Sequence, residues 1–340
     1  MKKKTAVVSI GVAALIFLWT FSSVAHAAQD LPRSLTIGTH PKGSLLNIIG
    51  SGFAKVISLH TSISAKDRPF TGYLSWVPLM NQGRVDLGII TDSEVHPAYR
   101  GKSPYREGQK NLRLISSGNG INLGYVSRLG SGIKTMADLK DKRVPIDSSQ
   151  LATIQNQEAL IRAAGLDPDK DIKKILVAGV VVMVDAFMEG RADVSWGSVG
   201  MGKIKEAEAK VGGLYWIPVV KSGSDPALKM LEDSLPGRKV KFIKGKRVPG
   251  VDNDTWLLDI PIGLGTHEGL GDEAAYLITK VIWENEKELN AVHPIFRGWK
   301  KAMVDEKAVI PYHPGAIKFY REVNAWPEKM DAIQQNLLNQ

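Results

Sequence analysis

Apolar residues along this chain alternate between short runs typical of buried strands and longer stretches with helical spacing. The run Leu35–Thr39 predicts a strand, and after a glycine turn the apolar positions from Leu45 to Ile57 recur on one helix face, with Ser44 placed as the N-cap. The same patterns predict further strands over 63–68, 86–91, 112–117, 122–128, 143–147, 172–178, 194–197, 214–219 and 256–266. Helices are predicted over 72–83, 136–139, 150–164, 182–189 and 273–289.

Strands that alternate with helices of this length predict an α/β fold in which mostly parallel sheets carry helices on both faces. The pattern begins near Leu35 and starts again near Met136. The sequence therefore predicts two α/β lobes.

The first residues contain the three parts of a secretory signal peptide in order. Lys2, Lys3 and Lys4 form a positive head, the segment 6–21 is apolar, and Ala25-His26-Ala27 has small residues where signal peptidase cleaves. A permanent membrane anchor is the alternative, although the run is short for a span of about 20 apolar residues. We expect residues 1–27 to be removed and the mature protein to be soluble in the periplasm.

Composition excludes several classes of function. The 340 residues include no cysteine, which excludes disulfides, thiol catalysis and cysteine-ligated metal. The net charge of +9 includes the three lysines of the head, and the remaining surplus mildly favours an anionic ligand. It is too diffuse to indicate nucleic acid.

Motifs for catalysis, metals and cofactors are lacking in the sequence. The seven histidines form no H-x-H or H-E-x-x-H pair, and no P-loop or G-x-S-x-G motif occurs. We therefore predict no catalytic residue, no metal and no cofactor. Six basic residues lie within Arg238–Arg247; an exposed edge strand protected by lysines is one interpretation and a docking surface is the other.

Five sequence blocks resemble one family of receptors in the same order and at compatible spacing. They are LTIGTHPKGSLLNIIGSGFAKVI (35–57), NQGRVDLGIIT (81–91), SGIKTMADLKDKRV (131–144), the segment 153–166 that ends in Ala-Ala-Gly-Leu, and His313-Pro314-Gly315-Ala316 before Phe319-Tyr320. Together they resemble TAXI-type solute receptors, which serve the tripartite ATP-independent periplasmic (TRAP) transporters.

The resemblance implies a two-lobed periplasmic binding protein of type II-like fold with its ligand cleft between the lobes. By this resemblance lobe 1 is discontinuous, comprising 28–126 and 251–340, and lobe 2 comprises 127–250. The chain departs from the family at Ser44, at Leu46-Asn47, at Thr71-Gly72-Tyr73 with Trp76, and at Gln150-Leu151-Ala152. Because Tyr73 and Trp76 replace small polar residues, we expect a ligand bulkier or more apolar than glutamate.

Three loops have the composition of a ligand site on an open α/β sheet. Ligands there bind beyond the carboxyl ends of the strands, where helix N-termini present free N–H groups. The loops are Thr39–Ser44, Thr71–Trp76 and Ser148–Asn156, and plain helix capping by Ser44, Thr71 and Ser148 is the alternative. From these loops the candidate ligand-binding residues are Thr39, His40, Lys42, Ser44, Thr71, Gly72, Tyr73, Trp76, Ser148, Thr153 and Asn156. We expect the anionic group of the ligand at the helix starts after Thr39 and Ser148.

Four further residues complete the candidate site. Arg68, like Lys42, would add positive charge, unless both are surface side chains. Trp196, with Tyr73 and Trp76, would form an apolar wall, with core packing as the alternative. Thr91 and Asp92 end a strand and either contact the ligand or cap the next helix.

The leading hypothesis is a non-enzymatic, monomeric receptor that captures a small organic anion and delivers it to the integral-membrane subunits of a TRAP transporter. Two alternatives stay open from the sequence: a receptor that signals to a membrane sensor, and an enzyme on the same scaffold.

Overall fold

The computed structural model describes residues 31–235, 238–248 and 250–340, so the predicted signal at 1–27 lies outside the described residues. The strands are β1 (Ser34–Thr39), β2 (Ser64–Pro69), β3 (Leu87–Thr91), β4 (Leu112–Arg128), β5 (Arg143–Asp147), β6 (Lys173–Val177), β7 (Val194–Ser198), β8 (Leu214–Trp216), β9 (Lys239–Ile243) and β10 (Thr255–His267).

Helices lie between the strands and fill the C-terminal region. The α-helices are α1 (Leu45–His60), α2 (Val77–Asn81), α3 (Asp92–Arg100), α4 (Leu151–Ala163), α5 (Val180–Met188), α6 (Gly202–Val211), α7 (Pro226–Ser234), α8 (Asp272–Glu284), α9 (Glu286–Val292), α10 (Trp299–Ala302), α11 (Pro314–Glu322) and α12 (Lys329–Leu338). Short 3₁₀ helices occur at Tyr73–Ser75, Met136–Leu139 and Pro294–Phe296.

The fold is α/β, and its main sheet is mixed. The strand order is β2-β1-β3-β10-β4-β7, with β8 added to β4 and β9 added to β10, while β5 and β6 form a separate parallel pair. The prediction of mostly parallel sheets is therefore wrong for the centre of the molecule. The long strands β4 and β10 pair antiparallel with each other and with each of their neighbours, and only β1 with β2 and β1 with β3 are parallel in this sheet.

The two predicted strands at 112–117 and 122–128 are one strand of 17 residues. β10 supplies backbone partners on both sides of the glycines between them. A side chain at Gly118 would overlap the Trp299 ring and one at Gly120 would overlap Asp259, so the strand continues because these glycines leave room for their neighbours.

Two predicted helices are each interrupted. The segment 72–83 becomes a 3₁₀ turn and the short α2, because Trp76 at the junction leaves helical geometry with φ −135°. The segment 273–289 divides into α8 and α9 at Asn285, whose side-chain amide donates to the Val281 carbonyl at 2.8 Å. Ser44, by contrast, is the N-cap of α1 as predicted, and its hydroxyl accepts from the Asn47 N–H at 3.2 Å.

The basic segment after residue 238 contains the edge strand β9. Within the described ranges β9 pairs only with β10, and Lys239, Lys241 and Phe242 are exposed. The edge-strand interpretation is therefore confirmed.

The C-terminal segment packs on the N-terminal part of the sheet. The Tyr320 hydroxyl donates to the Ile115 carbonyl at 2.8 Å, and the Tyr99 hydroxyl of α3 donates to the Leu337 carbonyl at 3.1 Å. Buried apolar residues of 35–115 and 257–330 share one cluster, which also includes Phe187 and Ile204 from the middle of the chain. A second cluster is formed mainly by residues 125–235.

Trp76 is a core residue beneath β1 and β3. Its side chain is fully buried, and it packs against Gly38 and Gly88, which are register partners on the two strands. A Cβ at Gly38 would lie 2.7 Å from Cε3 of Trp76, and one at Gly88 would overlap the ring more severely. The indole therefore requires both glycines.

We expect Gly88→Ala to lower the free energy of unfolding by about 1–3 kcal/mol or more, because the added methyl overpacks the Trp76 site. Gly202→Ala is the matched control: its Cβ would meet its nearest neighbours at the ordinary distances of 3.8 and 3.9 Å. The control should stay within about 0.5 kcal/mol of the wild type in urea unfolding. Equal effects of the two substitutions would contradict this packing.

Candidate ligand-binding site

A cavity of about 70 Å³ lies where the ends of several strands meet. Its wall combines the starts of α1, α3 and α4 with residues of the strands β4, β7 and β10. The lining residues are His40, Ser44, Leu45, Leu46, Tyr73, Thr91, Ser93, Glu94, Ile121, Leu123, Gln150, Ala152, Thr153, Asn156, Val180, Trp196, Ser198, Met201 and Ile260.

Five helices begin at this cavity. Besides α1, α3 and α4, the first residue of α5, Val180, and the N-cap of α6, Met201, line it. The first-turn N–H groups of a helix have no partner within the helix, and its N-terminus carries partial positive charge. These helix starts thus supply partial positive charge to the cavity, although no Lys or Arg is among the described residues that line it.

The start of α1 is held firmly and is free of acidic residues. Ser44 caps it, and Asn47 reaches back to the Thr39 hydroxyl at 3.1 Å and to the Asp67 carboxylate at 2.8 Å. The loop before α1 also contacts the start of α6, where the Lys203 N–H donates to the Gly43 carbonyl at 3.4 Å. This helix start presents backbone N–H groups to the cavity with no carboxylate in its first turn.

Three buried side-chain polar atoms of the lining have no hydrogen-bond partner among the described residues. They are Nε2 of His40, Oη of Tyr73 and Oδ1 of Asn156, and these residues are 8%, 4% and 3% exposed. Burial lowers the pKa of His40 to about 4, so its ring is neutral near pH 7. Because buried polar atoms in folded proteins are nearly always paired, these three atoms are suited to contact a ligand or an ordered water.

Glu94 is the one carboxyl among the lining residues, and its residue is 6% exposed. Burial raises its pKa to about 7; Arg238 and a hydrogen bond from the Ala152 backbone lower it, and Asp147 raises it. Glu94 belongs to α3 and Ala152 to the first turn of α4. The side chain therefore bridges two of the helix starts.

The start of α4 differs from the prediction. Ser148 is exposed and does not cap the helix; Gln150 is the N-cap, and the Asp147 carboxylate accepts from the N–H groups of Ser149 at 2.7 Å and Gln150 at 3.1 Å. Asp147 performs this role because β5 ends on it, directly in line with the helix. Two protein carboxyls, Asp147 and Glu94, thus face the helix start that we expected to hold the anion of the ligand.

The cavity brings together seven of the fifteen residues predicted for the site. These are His40, Ser44, Tyr73, Thr91, Thr153, Asn156 and Trp196. Tyr73 packs edge-on against His40 with ring centroids 4.6 Å apart, and Trp196 packs edge-on against Tyr125 at 5.1 Å. Both aromatic residues therefore combine a packing role with a position in the wall.

The other eight predicted residues lie outside the cavity lining. Lys42, Arg68, Thr71 and Ser148 are exposed, and the Arg68 guanidinium lies over the Phe70 ring at 4.8 Å. Thr39 is buried behind the α1 start, and Gly72 packs against the Gln150 side chain.

Trp76 and Asp92 are the remaining two of these eight. Trp76 is in the core, so of the two residues behind the expected bulkier or more apolar ligand only Tyr73 lines the cavity. Asp92 begins α3 and lines a neighbouring groove of about 780 Å³.

Sequence reasoning missed most of the apolar wall and one charged residue. Leu45 is predicted on the hydrophobic face of α1, and Leu46 is noted only as a departure from the receptor family. Ile121, Leu123 and Ile260 lie on the long strands, where no loop motif marks them. Glu94 could have been found from the sequence, because it lies in the first helical turn after the strand that ends at Thr91.

The chain belongs to the NMT1-like family, which matches residues 37–323. Among solved structures, it is similar to the binding protein component of an ABC phosphonate transporter from Pseudomonas aeruginosa, with 14% identity, 80% of each chain covered and a TM-score of 0.53. It is also similar to PhnD1 from Prochlorococcus marinus in complex with methylphosphonate, with 14% identity, 87% of this chain and 100% of that chain covered, and a TM-score of 0.53.

At these identities the structural likeness shows the fold, which is that of two-lobed periplasmic binding proteins. The Pseudomonas aeruginosa structure is described as a binding protein. Within residues 31–235, 238–248 and 250–340, no helix has the length and apolar character needed to cross a membrane.

Glu94 generates a prediction about stability and pH. Its pKa of about 7 in the folded protein exceeds the ordinary value of 4.5, so the folded state holds this proton more tightly than the unfolded state. The resulting stabilisation is complete below pH about 4.5 and is lost as the pH rises through about 7. The melting temperature of Glu94→Gln relative to wild type should therefore increase between about pH 5 and pH 8.

The melting temperature of Glu94→Gln is compared with that of the wild type at each pH, because His40 makes the stability of both proteins change with pH in the opposite direction. Its lowered pKa makes the folded state gain stability as the pH rises from about 4 to 6.5, equally in both proteins. A difference in melting temperature that stays constant across this range would contradict the environment assigned to Glu94.

Proposed function

We propose that this protein is a solute receptor of the TAXI type that captures a small organic carboxylate in the cavity and delivers it to a TRAP transporter. The family and the fold support a solute-binding role. The transporter type rests on the five sequence blocks, and the ligand class rests on the cavity.

The observation that carries the ligand class is the convergence of helix starts on one cavity whose lining includes three buried, unpartnered polar atoms. Helix N-termini bind carboxylates and phosphates through backbone N–H groups without any basic side chain. His40 Nε2 and Asn156 Oδ1 supply additional polar contacts inside the same wall. A small anion with further polar groups satisfies all of these atoms at once.

Among the starts of α1, α3 and α4, that of α1 is the best place for the carboxylate. It has no acidic residue in its first turn, whereas α3 begins with Asp92 and Glu94 and α4 faces Asp147 and Glu94. Charge-assisted hydrogen bonds to a desolvated anion are roughly twice as strong as neutral ones. We thus keep the expectation that the anionic group binds at the helix start after Thr39, and we withdraw it for the helix start after Ser148.

The two lobes would meet at this cavity. We propose that lobe 1 comprises 28–126 and 251–340 and lobe 2 comprises 127–250, with β4 and β10 as the strands that cross between them. Packing of the C-terminal helices on β4 supports the discontinuous lobe. The register of β4 against β10 shifts between Pro261 and Gly263, which makes this the natural position for a hinge.

Binding can be tested on the gently purified full-length mature protein. Native mass spectrometry would detect a retained ligand, and a panel of small carboxylates would be titrated by tryptophan fluorescence, since Trp196 lines the cavity. Asn156→Ala should weaken the best carboxylate that carries a hydroxyl or amino group about 10-fold, because Asn156 Oδ1 no longer accepts a hydrogen bond from that group.

Lys42→Ala is the matched control, because Lys42 is exposed and outside the lining. It should change the affinity less than about twofold. The proposal fails if no carboxylate binds, or if Lys42→Ala weakens binding as much as Asn156→Ala does.

Export supplies a separate prediction. The positive head, apolar run and Ala25-His26-Ala27 predict cleavage by signal peptidase, so the mature chain should begin at or near Ala28 in the periplasmic fraction. N-terminal sequencing of the protein from fractionated cells measures this directly. Recovery of an uncleaved chain in the membrane fraction would contradict it.

A further inference from the structure

Glu94 is a charged side chain for which the proposed function has no direct use. A receptor for an anion gains nothing from a carboxyl in its binding cavity unless that carboxyl meets a complementary part of the ligand. Glu94 is 6% exposed and lines the same space as His40 and Asn156. No basic side chain is among the lining residues to neutralise it from within the cavity.

We propose that Glu94 determines specificity by selecting acids that carry a hydrogen-bond donor, a hydroxyl or an amino group, and by excluding acids that place a second carboxylate against it. The proposal rests on the proposed function, because it assumes that a carboxylate is bound at the start of α1.

Burial raises the pKa of Glu94 to about 7, so its carboxyl is mostly ionised at pH 8. The charged and titratable groups that face it are Arg238, Asp147, Tyr73 and Tyr105. Burial raises the pKa of both tyrosines far above 10, so they remain neutral. Arg238 attracts Glu94 from outside the cavity, since it lines the neighbouring groove with Asp92.

Size makes the selection strict. The cavity is about 70 Å³, so a bound acid of three or four carbons cannot keep its second functional group away from the wall. Two carboxylates that share a dry site cannot both ionise without a large penalty, whereas a hydroxyl or ammonium donates to Glu94. A site that contains a buried acceptor rejects ligands that leave it unpaired or repelled.

The test uses two matched series of acids that differ only in the second group. The first contains 3-hydroxypropanoate, β-alanine and malonate, and the second contains 4-hydroxybutyrate, 4-aminobutyrate and succinate. Affinities of the full-length mature protein are measured at pH 8 by calorimetry. We expect at least one donor-bearing acid to bind ten-fold or more tightly than the diacid of its series.

Glu94→Gln should reduce this discrimination to about threefold or less, because the amide carries no charge. Asp92→Asn is the matched control: burial also raises the pKa of Asp92 to about 7, but its carboxyl lines the groove instead of the cavity. The control should keep the full discrimination. Loss of discrimination in Asp92→Asn to the same extent would overturn the assignment to Glu94.

A pH series on the wild-type protein keeps the test valid even if Glu94→Gln folds poorly. Glu94 is protonated below its pKa of about 7, so the diacids should bind more tightly at pH 5.5 than at pH 8. In Glu94→Gln the remaining cause of pH dependence is the protonation of the diacid itself. The difference in diacid affinity between pH 5.5 and pH 8 should therefore be smaller than in the wild type.

Equal binding of diacids and donor-bearing acids at pH 8 overturns this inference while leaving the proposed function intact. Binding of no acid from either series contradicts both.

Discussion

The pairing of β4 with β10 is the constraint on which the remaining structure depends. These strands run antiparallel to each other and carry β3, β7, β8 and β9 on their remaining edges. They also place Ile121, Leu123 and Ile260 in the wall of the cavity. The cavity is therefore located by the sheet itself, and the loops that surround it are positioned by strands that are ordered through this pair.

Backbone geometry provides most of the electrostatic character of the cavity. Helices α1, α3 and α4 begin at or shortly after the carboxyl ends of β1, β3 and β5, so their N-termini point into a common space. Protein carboxyls then fill some of these positions: Asp147 accepts from the α4 start, and Glu94 lies between α3 and α4. The α1 start differs in that its own first turn contains no acidic residue, and the Asp67 carboxylate beside it accepts from the Asn47 side chain.

The sequence predicted local elements well because their signals are local. Periodicity identified β1 and α1, and Ser44 was recognised as a cap because capping depends on residues a few positions apart. The continuity of β4 through Gly118 and Gly120 was missed, because it depends on partners more than 130 residues away on β10. For the same reason Trp76 was placed in the cavity wall: its fit against Gly38 and Gly88 requires knowing that β1 and β3 are neighbours.

Residues of the candidate site could be predicted where a loop follows a strand. They could not be predicted where charges are balanced by groups that are distant in the sequence. Lys42 and Arg68 are the obvious cations near the predicted loops, yet both are exposed. Recognition of an anion by the dipoles of helix starts has a consequence that recognition by lysine or arginine side chains lacks. Dipoles on opposing helix starts act strongly only when water is excluded between them, because their field falls off within one turn and is screened by solvent. In the proposed receptor, separation of the lobes about β4 and β10 would therefore weaken every contact to the anion together, which couples release of the solute to opening.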